Sequence, residues 1–563
     1  MKIKTLWLGL LLASQLLATW PATITTTAGK DFFPQIVSDG SGGAIISWLH
    51  KNSYDCYEVY GARVESDGDV AWRRENISHM NLAGTNVGHR LNHHVIPSTS
   101  NSAIYFWANH FQLDNYARGY YLQKTNGSGV PQWPEEPPDD DPVQVLPTWP
   151  VPAPNDGEPI SICPDGEGGC VVAMKAATTS GGSPHWKSWK IWVTRYDASG
   201  ISQWPEQGGK GIVIDEPQVN YYYQDDDTIL VCEYLGCPKV VRWGEDEFMV
   251  LWTSVTEASA TDTCAGTFRI NSKTTLHIYR IDEDGVEQAH DESVNFEADE
   301  VEQVYGSPDP YGYCRWYWWI PDFQITTNSS RDKLFVAFLK RFKHRRATSD
   351  SRSWSFREDY LYVLEYSSPS SWDTTRVEGF SWIGEAAHNF NGDWCPLRSP
   401  SIICVNDAAV VCVPRSTDNP PYLTNNEWVK NYPLYRTFHL KVWKVLDGTP
   451  THLWDKTGYS FHTPQLIGDP SGGLLLAYSR HTFQDYNSNS SYLSHVIIER
   501  HNPITQTSPN SGWPQTPGNQ GTNTSPRIIL SDANHVIVTW AASDDGKDSW
   551  RIMAQRYDMS GNP

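Results

Sequence analysis

An aromatic run at residues 311–319 is the part of the sequence best suited to bind a ligand. It contains Arg315, Trp316, Trp318 and Trp319, and exposed aromatic faces stack on sugar rings or anchor a protein partner. These four residues are the predicted ligand-binding residues. The competing interpretation packs alternate rings inside the protein, because β-rich repeat proteins have aromatic-rich cores.

Catalytic motifs are missing from the sequence. It has no Gly-x-Ser-x-Gly nucleophile elbow, no His-Glu-x-x-His and no phosphate-binding Gly-x-x-x-x-Gly-Lys. The 65 acidic residues allow many carboxylate pairs, and nothing in their spacing selects one for glycoside hydrolysis. No catalytic residue is therefore predicted.

Metal-ligand spacing is weak as well. His89, His93 and His94 are close in sequence, but no carboxylate or cysteine stands at a recognisable ligand offset from them. No metal site is predicted. The acidic run Asp225–Asp227 lacks the alternating ligands and the glycine of a calcium loop, so a solvated turn is preferred. No cofactor is predicted, and calcium is the alternative kept open.

The chain has 10 cysteines, an even number that suits an oxidising compartment. Three pairs close in sequence are the predicted disulfides: Cys163 with Cys170, Cys232 with Cys237, and Cys404 with Cys412. The first and third pairs flank turns at matching places of two repeats, where a hairpin can put both sulfurs on one face. The alternative is that Cys404 and Cys412 are small buried hydrophobic residues.

The N-terminus has the pattern of a secretory signal peptide. Lys2 and Lys4 precede an apolar run at residues 6–17 that is too short to span a bilayer. We predict a signal peptide at residues 1–18, with Ala22 as a second cleavage point. The mature protein is expected to be secreted or held at the cell surface, without membrane insertion. Its net charge of −21 disfavours nucleic acid as a partner.

A recurring motif organises the rest of the sequence. The first copy reads Pro34-Gln35-Ile36, a Gly-rich turn, an apolar run to Trp48, a second strand, then Asp67-Gly68. Eight copies begin near residues 34, 94, 159, 238, 321, 400, 464 and 526. Each contains short β-rich runs separated by turn residues, with no long helical period.

These copies predict an all-β fold. A unit of this size cannot bury its apolar faces alone and must stack against its copies. We expect residues 19–563 to form one β-propeller of four-stranded antiparallel blades, eight in number, with seven as the alternative because the fifth copy is weakest. A linear β-solenoid is disfavoured because its repeats are usually shorter.

Two local features fit this propeller. The β-prone segment at residues 22–29 is predicted to supply the missing outer strand of the last blade, which would remove an open sheet edge. Alternatively, it completes a blade of a neighbouring molecule. The Gly-Gly pairs at 42–43, 168–169 and 472–473 are interpreted as hairpin turns that need positive φ.

The string from Pro34 to Trp48, the strand Ala62–Val64 and Asp67-Gly68 before Trp72 resemble the repeat of exported bacterial β-propeller proteins. This resemblance implies a propeller fold and export, and it implies no reaction.

A more distant resemblance is to sialidase-type propellers. Their Asp-box lies in the turn between the third and fourth strands, where Ser66-Asp67-Gly68 with Trp72, and Asp197 and Gly200 with Trp204, are similar. The Asp-box is a structural turn away from a sialidase active site, so no catalytic residue is carried over.

The sequence thus predicts non-catalytic recognition or structural work, with a glycan or a surface protein as the partner. One alternative is a secreted glycoside hydrolase or lyase with acidic residues at the mouth of a central channel. Another is a self-assembling structural subunit that forms homo-oligomers through its N-terminal strand.

Overall fold

The computed structural model describes residues 20–25, 30–52, 57–75, 77–78, 89–99, 101–110, 119–133, 142–145, 161–179, 187–204, 211–215, 220–224, 227–262, 267–297, 301–303, 315–319, 323–347, 353–368, 371–386, 400–416, 438–458, 461–482, 493–517, 522–543 and 549–563. Within these ranges the chain forms strands, bridges and turns but no helix. The predicted signal peptide lies outside them.

A two-residue strand, β1 (Ala22–Thr23), comes first, and four sheets follow it along the chain. Blade 1 contains β2 (Asp31–Ser38), β3 (Ala44–Lys51), β4 (Tyr57–Val64) and β5 (Val70–Arg74); blade 2 contains β6 (His89–Pro97), β7 (Ala103–His110), β8 (Gly119–Thr125) and β9 (Val143–Gln144); blade 3 contains β10 (Ser161–Pro164), β11 (Cys170–Thr179), β12 (Lys187–Tyr196) and β13 (Ile212–Asp215); blade 4 contains β14 (Asn220–Gln224), β15 (Asp227–Leu235), β16 (Lys239–Trp243), β17 (Glu247–Asp262), β18 (Thr267–Asp282), β19 (Glu287–Glu297) and β20 (Val301–Gln303).

Four further sheets complete the fold. Blade 5 contains β21 (Arg315–Trp319), β22 (Phe323–Thr327), β23 (Leu334–Ala347), β24 (Ser353–Ser368) and β25 (Ser371–Ala386); blade 6 contains β26 (Ser401–Val405), β27 (Ala408–Ser416), β28 (Phe438–Leu446) and β29 (Thr449–Gly458); blade 7 contains β30 (Phe461–Gly468), β31 (Leu474–Thr482) and β32 (Leu493–His501); blade 8 contains β33 (Thr522–Asp532), β34 (His535–Ser543) and β35 (Trp550–Asp558) together with β1. In blade 7 the fourth place is held by a bridge between Ile498 and Gln515.

The eight sheets close into a ring. The innermost strands β2, β6, β10, β16, β22, β26, β30 and β33 each contact the next one in turn, and β33 contacts β2. Neighbouring strands within each sheet are antiparallel. The predicted eight-bladed β-propeller is therefore confirmed, and the seven-bladed alternative is wrong.

The core lies between blades, because each blade buries both faces against its neighbours. In β3, Ile46 and Trp48 pack towards blade 8, whereas Ile45 and Leu49 pack towards blade 2. Successive side chains of a strand point to opposite faces, so a strand buried on both faces is apolar at nearly every position. This explains the continuous apolar run that marks each repeat in the sequence.

The N-terminal strand occupies the outer place of blade 8. Ala22 pairs with Ala554 and Thr23 with Met553, and the Ile24 amide donates to the Ile552 carbonyl at 2.9 Å. Residues 26–29 of the predicted closing segment lie outside the described residues. The first and last parts of the chain thus share one sheet, which leaves no free edge on β35 along this pairing.

Blades 4 and 5 are longer than the others. Strands β17, β18 and β24 have 16 residues each, against 8 in β3. Eight extra residues extend a strand by about 26 Å. The extra length pairs with added strands, β15 against the far half of β17 and β21 against the far half of β23.

The structure corrects two predicted disulfides. Cys163 and Cys170 are free, and they pack on opposite faces of blade 3, Cys163 towards blade 4 and Cys170 towards blade 2. Cys404 and Cys412 are likewise free and on opposite faces of blade 6. In both hairpins the two positions are offset in register, so they alternate across the sheet.

Cys412 supports the alternative interpretation that was kept for it, whereas Cys404 is only partly buried. Cys412 is buried among apolar residues, and burial raises the pKa of its thiol. The side chain of Cys232 lies outside the described residues, so its pairing with Cys237 stays a prediction.

Candidate functional site

The two ends of the ring differ in construction. At one end, which we call the turn face, short turns join the first strand of a blade to the second and the third to the fourth, as at residues 39–43 and 65–69. At the other end, the connection face, the second strand is joined to the third and one blade to the next. The extended ends of β23 and β24, the added strand pair β14 and β15, and the end of β27 lie at this face.

Aspartates organise the turn face. The Asp39 carboxylate accepts the amides of Ser41 (2.7 Å) and Gly43 (2.9 Å), and its second oxygen accepts the Arg63 guanidinium at 2.9 Å. The same arrangement recurs in three other blades: Asp165 with Arg195, Asp469 with Arg500 and Asp532 with Arg556. The first glycine of each Gly-Gly pair has positive φ, as predicted.

Tryptophans link each blade to the next at this face. Among the described residues, the indole N–H donates to a turn carbonyl of the following blade in six places: Trp72 to Gly127 (3.1 Å), Trp133 to Ala198 (2.9 Å), Trp204 to Glu283 (2.9 Å), Trp454 to Ile504 (3.3 Å), Trp513 to Met559 (3.3 Å), and Trp20 to Ser66 (3.4 Å). The last one joins blade 8 to blade 1. Trp72 and Trp204 belong to the two segments that were compared with an Asp-box, and here their indoles link neighbouring blades.

Glycine is required where these rings pack. Gly129, Gly200 and Gly285 have positive φ, and a Cβ on them would lie 2.6–2.7 Å from the ring of Trp72, Trp133 or Trp204. Any larger residue would therefore meet both backbone strain and the indole. This is the physical reason for the repeated glycine-tryptophan spacing in the sequence.

A ring of polar residues marks the axis of the propeller. In every innermost strand, one position is polar and partly exposed, whereas the residue after it packs between blades. The occupants are Gln35, His94, Ser161, Lys239, Gln324, Ser401, Gln465 and Arg527, placed at the same register against the second strand of each blade. We call these eight residues the channel ring.

Electrostatics place three members of the channel ring around one space. Burial, with smaller contributions from the charges of Lys239 and Arg527, lowers the pKa of His94 to about 4. Lys239 belongs to blade 4 and Arg527 to blade 8, on opposite sides of an eight-membered ring, each two blades away from His94. The charges of both residues nevertheless affect the pKa of His94, as is expected when side chains from these three blades converge towards the axis of the ring.

Three buried polar atoms lie in neighbouring blades of this ring. Nε of Arg527, Nε2 of His93 and Oγ of Ser47 are buried and have no hydrogen-bond partner in the described part of the chain. They come from three consecutive blades, 8, 1 and 2. Buried polar atoms are normally satisfied, so such a group beside a channel indicates water or a ligand.

A strained aromatic residue lies beside the channel. Phe33 has φ of 53° and is 56% exposed, two residues before Gln35 on the connection-face side. It belongs to a bulge in β2, and matching bulges precede His94, Gln465 and Arg527. Non-glycine residues with positive φ are uncommon and concentrate at functional sites. Blades 7, 8, 1 and 2 therefore share a bulge in the innermost strand, on the connection-face side of the channel ring.

The predicted ligand-binding residues lie on the same face. Arg315, Trp316, Trp318 and Trp319 form β21, which pairs with β23 in the extended part of blade 5. Their side chains lie outside the described residues, as do those of His89 and the residues Asp225 and Asp226. Ligand binding by the aromatic strand stays a prediction.

Sequence reasoning missed the channel ring although the signal was present. In five copies the ring residue is the x of the Pro-x-apolar motif, as in Pro34-Gln35-Ile36 and Pro526-Arg527-Ile528. A polar residue kept inside an otherwise apolar motif indicates a position that leaves the core. The pairing register of the innermost strands was needed to show that these polar residues occupy equivalent positions around the ring.

Two searches of the described residues gave negative results. In the ranges given above, no three His, Cys, Asp or Glu side chains lie close enough together to hold a metal ion. No helix in the same ranges is long and apolar enough to cross a membrane.

Comparisons with known proteins support no family assignment. No family model and no curated protein matches the sequence. Similar solved structures include an α-L-arabinofuranosidase from Fusarium graminearum (11% identity, 70% of this chain and 92% of that chain, TM-score 0.27), a protein of unknown function from Dyadobacter fermentans (9%, 84% and 95%, 0.30) and a GH32 β-fructofuranosidase from Bombyx mori (11%, 84% and 91%, 0.26). At these TM-scores they carry no argument about this chain, whose fold follows from its own strand pairing.

Proposed function

We propose that this protein is a secreted or cell-surface recognition propeller that binds a glycan without cleaving it. The binding site is the axial channel together with the connection face around it. The observation that carries the proposal is the channel ring, in which all eight positions are polar and none is a carboxylate. Glycoside hydrolysis needs a pair of carboxyl groups about 5–9.5 Å apart.

The chemistry of the channel ring suits a polyhydroxylated ligand. Gln35, Gln324 and Gln465 offer both donors and acceptors, and Ser161 and Ser401 add hydroxyl groups. Sugars present hydroxyl groups of the same two kinds. The Oγ of Ser161 already acts as an acceptor, because it accepts a hydrogen bond from the Val240 amide at 2.8 Å.

Aromatic residues at the connection face supply the apolar part of sugar recognition. Phe33 is exposed beside the channel, and β21 places Trp316, Trp318 and Trp319 in the extended part of blade 5. Sugar rings stack on such aromatic faces through their C–H groups. Convergent polar groups with a few aromatic faces are typical of small-molecule sites.

A glycan array with the mature chain tests the proposal. We expect wild-type protein to bind a restricted set of glycans, Phe33→Ala to weaken that binding about tenfold, and the triple change of Trp316, Trp318 and Trp319 to alanine to weaken it further. Leu446→Ala is the matched control, because Leu446 is 39% exposed in a turn at the opposite face. Equal binding by all four proteins, or no glycan bound at all, would overturn the proposal.

Mass spectrometry of the bound glycans after long incubation separates binding from hydrolysis. Intact glycans support recognition, and cleaved products would favour the secreted hydrolase instead. Mass photometry of the same sample tests self-assembly. A single monomer peak is expected, because β1 already pairs within its own chain, and a ladder of oligomers would favour the structural subunit.

A further inference from the structure

We infer that the axial channel is an oxyanion site, in which His94, Lys239 and Arg527 hold the carboxylate or sulfate group of an acidic sugar. This inference deepens the proposed function and rests on it for the sugar, but not for the anion.

The arrangement of charge in the channel ring carries the inference. The ring has three basic residues, in blades 2, 4 and 8, and no acidic one, whereas the whole chain has a net charge of −21. The whole chain has 44 lysines and arginines but 65 aspartates and glutamates. The excess of basic residues in the channel ring is therefore opposite to the overall composition. A bound anion would interact favourably with the two permanent cations, Lys239 and Arg527.

The hydrogen-bond inventory points in the same direction. A guanidinium has only donors, and Nε of Arg527 is buried without a partner in the described ranges. A buried donor of a charged group is costly when it is unsatisfied, and an oxyanion supplies several acceptor lone pairs. Amides from Gln35 and Gln465, which flank Arg527 on blades 1 and 7, can complete such a shell.

Geometry decides between an anion and a neutral ligand. Lys239 and Arg527 belong to blades on opposite sides of the ring and His94 to a blade midway between them, so a small group on the axis would be approached by basic residues from three sides. A neutral sugar hydroxyl can accept hydrogen bonds from one or two of these residues, whereas the oxygens of a carboxylate or sulfate can accept hydrogen bonds from all three. To bind a neutral sugar, uncharged polar side chains at these ring positions would be sufficient.

Thermal shift and calorimetry with defined anions test the inference on the whole mature chain. At constant ionic strength set with sodium chloride, sodium sulfate and sodium glucuronate are each expected to raise the melting temperature, and glucose is not. Arg527→Gln and Lys239→Gln are each expected to weaken anion binding about ten- to a hundredfold. Lys444→Gln makes the same charge change in β28, away from the channel, and is expected to leave binding unchanged.

The pH dependence of anion affinity distinguishes a role of His94 in binding from a merely structural role. Because the pKa of His94 is about 4 without ligand, a bound anion favours its protonated form and raises that pKa. Anion affinity is therefore expected to rise as pH falls from 7 to 5, and His94→Gln is expected to flatten that slope. Without anion, Arg527→Gln is expected to melt at or above the wild-type temperature, which separates loss of binding from misfolding.

Each outcome decides something. Equal anion binding in wild-type, R527Q and K239Q, or no binding of sulfate and glucuronate, overturns the channel site. Sulfate binding without glucuronate binding supports the anion site and overturns only its use for the carboxylate of a uronic acid. Glycan binding on the array without any dependence on Lys239 or Arg527 leaves the proposed function standing and overturns this inference alone.

Discussion

The turn face and the connection face of this propeller differ in how their polar and aromatic residues are used within the chain. Turn-face residues are satisfied within the chain: Asp39 holds two amides and Arg63, and Trp72 reaches the next blade. On the connection-face side of the ring lie an exposed strained aromatic, Phe33, and a buried Arg527 donor that has no partner among the described residues. The contrast agrees with the proposed function, in which the turn face holds the ring together and the connection face binds the ligand.

The largest effect expected at the turn face comes from removing its N-terminal link. Deleting residues 20–25 takes away Trp20, the pairing of β1 with β35, and the fully buried Ile24. We expect a loss of about 5 kcal/mol, from one buried side chain and several hydrogen bonds. Chemical denaturation measures it, and a chain that begins at residue 20 is the control. Unchanged stability and unchanged oligomeric state would contradict a closing role for this segment.

The next effect is that of a single turn aspartate. Asp39→Ala leaves two amides and the largely buried Arg63 without their acceptor, and breaking a buried ion pair from one side costs about 3–5 kcal/mol. Asp67→Ala is the matched control, because Asp67 accepts one amide at 3.0 Å in an exposed turn, and about 1 kcal/mol is expected there. Glycan binding at the other face should be the same in both variants at a temperature where both are folded.

Acid should weaken the turn face selectively. Burial raises the pKa of Asp469, but its bonds to Arg500 and Ser471 outweigh burial and hold that pKa below the ordinary value. A lowered folded-state pKa means that the stabilisation is present above about pH 4 and is lost as pH falls through the lowered value. Unfolding between pH 5 and 2.5 should therefore show a steeper loss in wild-type than in Asp469→Asn, and parallel curves would argue against this pair.

Alkali should weaken a pair at the connection face. His50 is hydrogen-bonded to the buried Asp31 at 2.8 Å, and this bond raises its pKa although burial opposes the change. The stabilisation is therefore present below about pH 6.5 and is lost as pH rises through the raised folded-state value. About 1 kcal/mol or less is expected between pH 6 and 9, because His50 is partly exposed. His50→Gln should remove that pH dependence, as followed by thermal melts.

The smallest stability effect should accompany a large effect on binding. Phe33→Gly relieves the positive φ of an exposed residue, so stability should change by about 1 kcal/mol or less. Glycan binding should nevertheless fall about tenfold or more, because the aromatic face is gone. Ser525→Gly, at a matching bulge with φ of 55°, relieves the same strain without removing an aromatic ring and should keep full binding.

Much of the fold was predictable from local chemistry. The Pro-x-Ile motif, the apolar run to Trp48 and the Gly-Gly turns each reflect short-range rules of strand and turn formation. Counting the copies was enough for eight blades. Two of the three disulfides were predicted wrongly, because the face that residues such as Cys163 and Cys170 occupy depends on register, and a shift of one residue exchanges the faces of a sheet.

Candidate site residues were less accessible from sequence. The run from Arg315 to Trp319 was noticed for its composition, while His94, Lys239 and Arg527 were not grouped, since they stand 145 residues or more apart. Each looks ordinary within its own repeat. Only closure of the ring brings blades 2, 4 and 8 around one channel.

By itself, the sequence determined that this chain forms antiparallel repeats that must stack, because each unit has two apolar faces and no other way to bury them. Tertiary structure decided which polar residues meet, because eight separate strands converge on one axis only when the last blade contacts the first. Local propensity sets strands and turns through neighbours in sequence. The charge of the channel is a sum over residues that are neighbours in space alone.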